Sequence, residues 1–324
     1  MSELTVCVTG SQGFIGSYIV ADLLNQGYIV IGIDNYAKYG HVDRPHDGHE
    51  NFTLIRHDLS YSFPKVTCDY LIAAAASIGG IKYFHDHAYD LISTNERILC
   101  NTFDYAIDAY QLGYLKRIVY ISSSMVYENT KQYPTHEDQV GICPPPFSTY
   151  GMQKLMGEYY CKGASEQFGL PYSIVRPFNA VGIGEEDAIE GNTHVLPDFV
   201  YKALTASDNT LTMYGDGTQV RHYTHASDVA RGVRVCMESP YYNTAFNISI
   251  GTPTSVSELA KAVWKEVHGI DPDIKHIEGF DYDVQLRSPD VSKASNMLGF
   301  QAKINLESSI EEVVRWMEGK LKIV

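Results

Sequence analysis

Residues 8–24 read VTGSQGFIGSYIVADLL, and this run decides the fold. A short β-branched strand passes directly into a glycine-rich turn and then into an amphipathic helix. Gly10, Gly13 and Gly16 at that junction permit a tight turn and let bare backbone approach a pyrophosphate, whose charge then faces the helix N-terminus. Glycine spacing alone is a weak signal. It gains weight from Asp34, which closes the next apolar run, because a carboxylate there can hydrogen-bond both hydroxyls of an adenosine ribose and repel a 2′-phosphate. NAD is therefore favoured over NADP. Asp58, in RHDLS after the third apolar run, is placed either to meet an adenine amino group or to cap its own loop.

Outward from this motif the same rhythm continues. Apolar runs at 6–9, 29–34, 53–57, 70–74, 118–122 and 172–176 alternate with helical patterns at 16–26, 90–112 and 151–168. Alternation of this kind predicts an α/β fold, a Rossmann-type doubly wound parallel sheet covered by helices on both faces. After Arg176 the texture changes to glycine-rich loops and shorter helices, which predicts a nucleotide-binding domain over 1–176 and a smaller, interleaved C-terminal substrate domain over 177–324. The apolar segment 245–251 is expected to return to the first sheet.

Composition narrows the function. The 324 residues are 44% hydrophobic, enough for a sizeable core. A net charge of −14 without any basic run argues against nucleic acid or an anionic membrane as partner. The chain opens on a strand at 4–9 with no signal-like segment, and no apolar run reaches the roughly 18 residues of a membrane span, so a soluble, cytoplasmic protein is expected. The cysteines at 7, 68, 100, 143, 161 and 236 lack the spacing of a zinc site or a disulfide framework, so no metal is expected.

In STYGMQKLMGEYY, residues 148–160, Tyr150 and Lys154 stand at i and i+4 and so share one helix face. A free tyrosine has a pKa near 10, and a neighbouring ammonium together with an oxidised nicotinamide would favour its phenolate. Tyr150 then becomes a proton shuttle, with Lys154 also holding the nicotinamide ribose. Tyr-xxx-Lys recurs by chance; its position downstream of the serine cluster in ISSSMVY, 121–127, and of the dinucleotide loop gives it meaning.

Together with GSQGFIG, IDN, HDL, AAAASIGGI, STNE, RPFNAVGIGE, YGDGTQVRHY and RSPDVSKASNMLGF, these segments resemble the extended short-chain dehydrogenase/reductases. The likeness is to their nucleotide-sugar epimerase and dehydratase branch, over nearly the whole chain. It implies that Ser123 hydrogen-bonds the substrate hydroxyl beside Tyr150 and Lys154, and that Asn95 orients the active-site helix. It also implies an NAD-contacting set of Gly10, Gly13, Phe14, Ile15, Gly16, Asp34, Asn35, Asp58, Leu59, Ala74, Asn95, Tyr150 and Lys154. On the substrate side it implies Ser124 and Met125 at the sugar, Arg221, Arg287, Asn179 and His194 at the diphosphate, and Leu196 and Met213 at the base. Many relatives are homodimers joined through the helices that match 90–112 and 151–168.

Ser124 and Met125 narrow the chemistry by subtraction. The 4,6-dehydratases carry an Asp-Glu pair there, the GDP-sugar 3,5-epimerases a cysteine at 125, and the uronic-acid decarboxylases a glutamate. A thioether transfers no proton. What remains is oxidation of a sugar hydroxyl, at C4, by NAD. A ketone that rotates and regains its hydride makes a 4-epimerase, whereas a keto sugar that leaves makes a dehydrogenase. Cys143, His85 or His87 could substitute for the missing acid in a 3,5-epimerase or decarboxylase. A catalytically silent dinucleotide sensor is the third class, against which the intact Tyr-Lys pair argues. The chain also departs from the family in lacking a histidine before its paired alanines, in His222 where aspartate is common, and in Glu128, which replaces the glycine that usually follows the Val-Tyr pair. SIGGI resembles the loop of the GDP-sugar epimerases.

Overall fold

The computed structural model describes residues 4–78, 87–186, 193–279 and 284–322. Among the described residues the helices are α1 (Phe14–Asn25), α2 (Ala88–Gln111), α3 (Thr149–Phe168), α4 (Val195–Thr205), α5 (Ala226–Glu238), α6 (Val256–His268), α7 (Ser292–Leu298) and α8 (Leu306–Leu321). The central sheet is seven-stranded. Its strands are β1 (Thr5–Thr9), β2 (Ile29–Asp34), β3 (Phe52–Arg56), β4 (Tyr70–Ala73), β5 (Arg117–Ile121), β6 (Tyr172–Pro177) and β11 (Thr244–Ile248), ordered β11-β6-β5-β4-β1-β2-β3. Every neighbouring pair is parallel. This is the expected doubly wound α/β architecture, and β11 lies beside β6 with Phe246 opposite Val175.

Parallel strands covered on both faces are apolar throughout, which is why TVCVT and RIVYI show no polar alternation. Period-two geometry still sorts their side chains. Val6 and Val8 of β1 and Val119 and Ile121 of β5 pack under α1 and α5. Cys7 of β1 and Ile118 and Tyr120 of β5 pack under α2 and α3. The chain winds from β1 toward β3 on one side and from β4 toward β6 on the other, so a crevice opens at the C-terminal ends of β1 and β4, the usual ligand position in such sheets.

The remaining strands are short: β7 (Ala180–Val181) pairs with β10 (Thr224–His225), β9 (Val220–Arg221) with β12 (Thr254–Ser255), and β8 (Thr210–Tyr214) with β13 (Asp273–Ile277). With α4, α6 and α8 they enclose a separate core that includes Phe199, Leu211, Trp264, Val313 and Met317. Leu196 and Met213, assigned above to the base pocket, belong to this core and are 0% and 1% exposed. The reason is helical periodicity: Leu196 shares an inward face with Phe199, Val200 and Ala203. Among the described residues no helix is long and apolar enough to cross a membrane, and no cluster of three His, Cys, Asp or Glu could hold a metal ion.

Candidate active site

A cavity of about 1380 Å³ runs from the end of β2, over the glycine turn, to the start of α3. Single-ligand sites usually span about 300–1,000 Å³, so this one has room for a cofactor and a substrate together.

At the cofactor end, Thr9 Oγ1 accepts hydrogen bonds from the backbone N–H groups of Ala74 and Ala75 at 3.1 and 3.0 Å. This ties the loop after β4 across the glycine turn. Gly10 has φ +70°, and a Cβ there would lie 2.9 Å from Ala75 Cα; one on Gly16 would lie 1.9 Å from the Gly10 carbonyl oxygen. Only bare backbone fits, and it forms the floor of the cavity at the N-terminus of α1. The Asp34 carboxylate accepts from Gln12 N at 3.0 Å and Tyr36 N at 2.8 Å, which fixes it at the cavity wall. The cradle and this carboxylate fit NAD.

Phe14, Ile15, Asn35, Asp58, Leu59 and Ala74 also line the cavity. Burial alone would raise the Asp58 carboxyl, but hydrogen bonds from Ser60 and Asn35 hold it below its usual value. Asn95 is an exception to the cofactor set. It does not line the cavity; its side chain accepts from Ser77 N at 2.7 Å and donates to Ser77 O at 2.9 Å, pinning the loop after β4 from beneath. Sequence reasoning missed Arg44, buried in a polar loop with no periodic signal. Its guanidinium donates to Gln12 O and Gly184 O and so joins the glycine turn to the segment after β7.

At the chemical end, the end of β5 meets α3. Ser148 caps the helix, its Oγ accepting from Gly151 N at 3.0 Å, so α3 begins just before Tyr150. Ser123, Tyr150 and Lys154 line the cavity together. Met125 N donates to Ser123 Oγ at 3.1 Å, and the Ser123 and Tyr150 side chains are hydrogen-bonded. Burial pushes the Tyr150 phenol above its usual range, while Ser123 and the nearby Arg287 charge pull it back. Lys154 Nζ donates to Ile121 O at 2.9 Å and lies near the rings of Tyr120 and Tyr150. Burial lowers its pKa from 10.5 to about 8. The triad therefore shares one proton-exchange site, with a lysine that loses its proton more readily than usual.

The same helix face continues to Glu158, one further turn along. Glu158 is 0% exposed and accepts from Ser122 Oγ at 2.6 Å and from Arg176 Nε and Nη2 at 2.8 and 2.7 Å. Arg176 also bonds the Tyr127 hydroxyl and Glu137 O, and Tyr127 donates to Asn247 Oδ1 at 2.8 Å. This network ties the catalytic helix to β5, β6 and β11. A Cβ on Gly157 would lie 2.1 Å from the Tyr120 ring, so α3 sits as close to β5 as a glycine allows. Tyr150, Lys154 and Glu158 at i, i+4 and i+8 were the available signal for Glu158.

Toward the substrate end the wall contains Ser124, Met125, Asn179, His194 and Arg287. Asn179 has φ +39°, and its buried Oδ1 has no hydrogen-bond partner among the described residues, an acceptor left for something in the cavity. His194 Nδ1 meets Glu185 Oε2 at 2.6 Å. Burial would raise Glu185, but the His194 imidazole and donors from Thr193 and His194 hold it below its usual value. Glu185 closes the RPFNAVGIGE segment, but no role was read for it. Arg221, by contrast, lies buried in β9, its guanidinium donating to Val220 O at 3.0 Å, and does not line the cavity. Cys143 also lies off the wall, its N–H bonded to Gln139 O and its thiol raised by burial. His87 is on the wall; His85 is outside the described residues.

The chain is similar to known proteins along most of its length. Residues 6–249 match the NAD dependent epimerase/dehydratase family. UDP-glucuronic acid decarboxylase 6 of Arabidopsis thaliana is 32% identical over 319 residues, covering 95% of this chain and 87% of that one. A putative UDP-glucose 4-epimerase of Methanocaldococcus jannaschii is 30% identical over 320 residues, covering 97% and 98%. The crystal structure of UDP-glucose 4-epimerase with UDP-glucose from Thermotoga maritima superposes with a TM-score of 0.83 at 28% identity, covering 98% of this chain and 100% of that one. With most of its length inside that family match and a relative at this identity along nearly all of it, the chain belongs to the NAD dependent epimerase/dehydratase family.

Proposed function

We propose that the protein is an NAD-dependent nucleotide-sugar 4-epimerase working through a 4-keto sugar. The observation that carries this is the wall formed by Ser123, Tyr150 and Lys154 with the Met125 thioether, where relatives carry an acid or base, lining the same cavity. Similar relatives are named for three outcomes, C4 epimerisation, decarboxylation of a uronate and 3,5-epimerisation of GDP-mannose. Met125 favours the first, since a thioether cannot return a proton to a ring carbon.

Bound NAD supplies the hydride acceptor and donor. The chain's own residues do the rest. Tyr150, hydrogen-bonded to Ser123, takes the proton of the C4 hydroxyl as oxidation begins and gives it back on reduction. Ser123 holds the same oxygen, and Lys154 keeps the phenolate form accessible by its charge. Arg287, His194 and the side-chain NH2 of Asn179, not its Oδ1, supply donors for the diphosphate, Arg287 with a planar fork suited to phosphate oxygens.

Epimerisation is tested by proton NMR on the enzyme with NAD and UDP-glucose or UDP-galactose, following the NADH absorbance in parallel. Inversion at C4 without net NADH is expected. Tyr150→Phe should lower turnover by about two to four orders of magnitude while NAD stays bound, and unchanged turnover would overturn the assignment. We also propose a homodimer through α2 and α3, whose surfaces leave Tyr89, Met156 and Tyr159 exposed; light scattering should give twice the chain mass.

A further inference from the structure

Residues Ser124–Tyr127 form a 3-10 turn, and Glu128 directly follows it. Such a helix has three residues per turn, so side chains at i and i+3 lie above one another. Glu128 thus stands one turn beyond Met125 on the same wall. Both line the main cavity with Ser148 and Tyr150, and Glu128 also borders a smaller recess behind it with Tyr133, Val284 and Arg287. Its Oε2 accepts from Ser148 N and Ser148 Oγ, each at 2.9 Å. The carboxylate is thereby fixed beside the cap of the catalytic helix, half-buried and pointing at the cavity wall.

With the sugar oriented as the proposed chemistry requires, this carboxylate faces the ring positions that flank C4. With the C4 hydroxyl at Ser123 and Tyr150, the groups that reach Met125 and Glu128 are those on C3 and C5. The C5 substituent is where a neutral hexose and a uronate differ, a hydroxymethyl group in one and a carboxylate in the other. A hydroxymethyl can donate a hydrogen bond to Glu128, whereas a second carboxylate meets like charge in a shielded pocket. Among the described residues Arg287 is the cation that shares both recesses with Glu128, and the proposed reaction commits it to the diphosphate.

We infer that Glu128 sets the substrate class, selecting sugar nucleotides with a neutral C5 substituent and excluding uronates. The inference rests on the proposed C4 chemistry, because that chemistry orients the ring. It reaches further, since it separates this chain from relatives that act on glucuronate while sharing its fold.

The test is calorimetric binding to the NAD-loaded protein of matched pairs, UDP-glucose against UDP-glucuronate and GDP-mannose against GDP-mannuronate. The wild type should bind the neutral member of a pair at least about tenfold more tightly. Glu128→Gln, of equal size but uncharged, should reduce that ratio by about tenfold, while Glu128→Asp should keep most of it. Equal or tighter binding of the uronate by the wild type would overturn the inference. So would a Gln variant that weakens both sugars alike, since that marks Glu128 as a support for Ser148 only. Binding of neither member of either pair would instead remove the proposed function, and the inference with it.

Discussion

Replacing Lys154 by methionine should abolish turnover and yet make the protein more stable at neutral pH. The buried ammonium has its pKa lowered from 10.5 to about 8. At about 1.4 kcal/mol per pH unit, that difference means that the folded state gives up about 3 kcal/mol to keep Lys154 charged below pH 8. Methionine retains the apolar stem and removes the charge. It leaves Ile121 O without the donor now 2.9 Å away, a loss of about 1 kcal/mol, so the net gain is about 2 kcal/mol. The pH dependence has a definite sign. Below pH 8 the amine is protonated in both folded and unfolded chains, and the cost is present in full. Between pH 8 and 10.5 the unfolded chain holds the proton and the folded one does not, so wild-type stability rises through this window relative to the variant. Urea unfolding of nucleotide-free protein at pH 7 and pH 10 measures both quantities. A variant less stable than wild type at pH 7, or an advantage that is the same at both pH values, would refute the reasoning.

Glu158→Gln should destabilise by about 3–5 kcal/mol, because Arg176 would keep its charge in the interior without a counter-charge. For 324 residues at about 2.1 cal/mol/K each, that lowers Tm by roughly 4–7 °C. The double variant Glu158→Leu with Arg176→Met should be more stable than Glu158→Leu alone, and a double variant no better than that single one would contradict a coupled pair. Gly16→Ala should weaken NAD binding at least about tenfold, since its Cβ would meet the Gly10 carbonyl at 1.9 Å and distort the turn that approaches the pyrophosphate; titration calorimetry showing wild-type affinity would count against the cradle.

The sheet was legible because its causes are local. Glycines at 10, 13 and 16 after an apolar strand admit few alternatives, and runs such as RIVYI are apolar on both sides because helices cover both faces. Helix starts were placed about two residues late. Periodicity locates the buried face, whereas the first turn is set by caps such as Ser148, which the pattern does not weight. The C-terminal half was harder, since its core is assembled from elements far apart in sequence, and Leu196 and Met213 gave no hint of whether their apolar surroundings would be a base pocket or packed protein.

Site residues divided along the same line. Tyr150 and Lys154, in one run of chain, could be placed on a shared face by helix geometry alone, whereas Ser123 rested on the family resemblance. Those whose partners arrive from another element could not: Arg44 reaches the glycine turn across a loop, Glu185 meets His194 nine residues on, and Asn95 turned out to clamp Ser77. Lys154 shows what the chain accepts for such a site. Its ammonium destabilises the fold, and Glu158, one turn further along the helix, pairs with Arg176 of β6 and holds α3 against the sheet by a charge pair that is itself desolvated. Desolvated pairs contribute little net stability when intact and are costly to break. Their effect here is therefore positional. They fix Tyr150 and Lys154 at the end of β5 whether or not ligands are bound, so that binding energy from a nucleotide sugar need not be spent on assembling the catalytic groups.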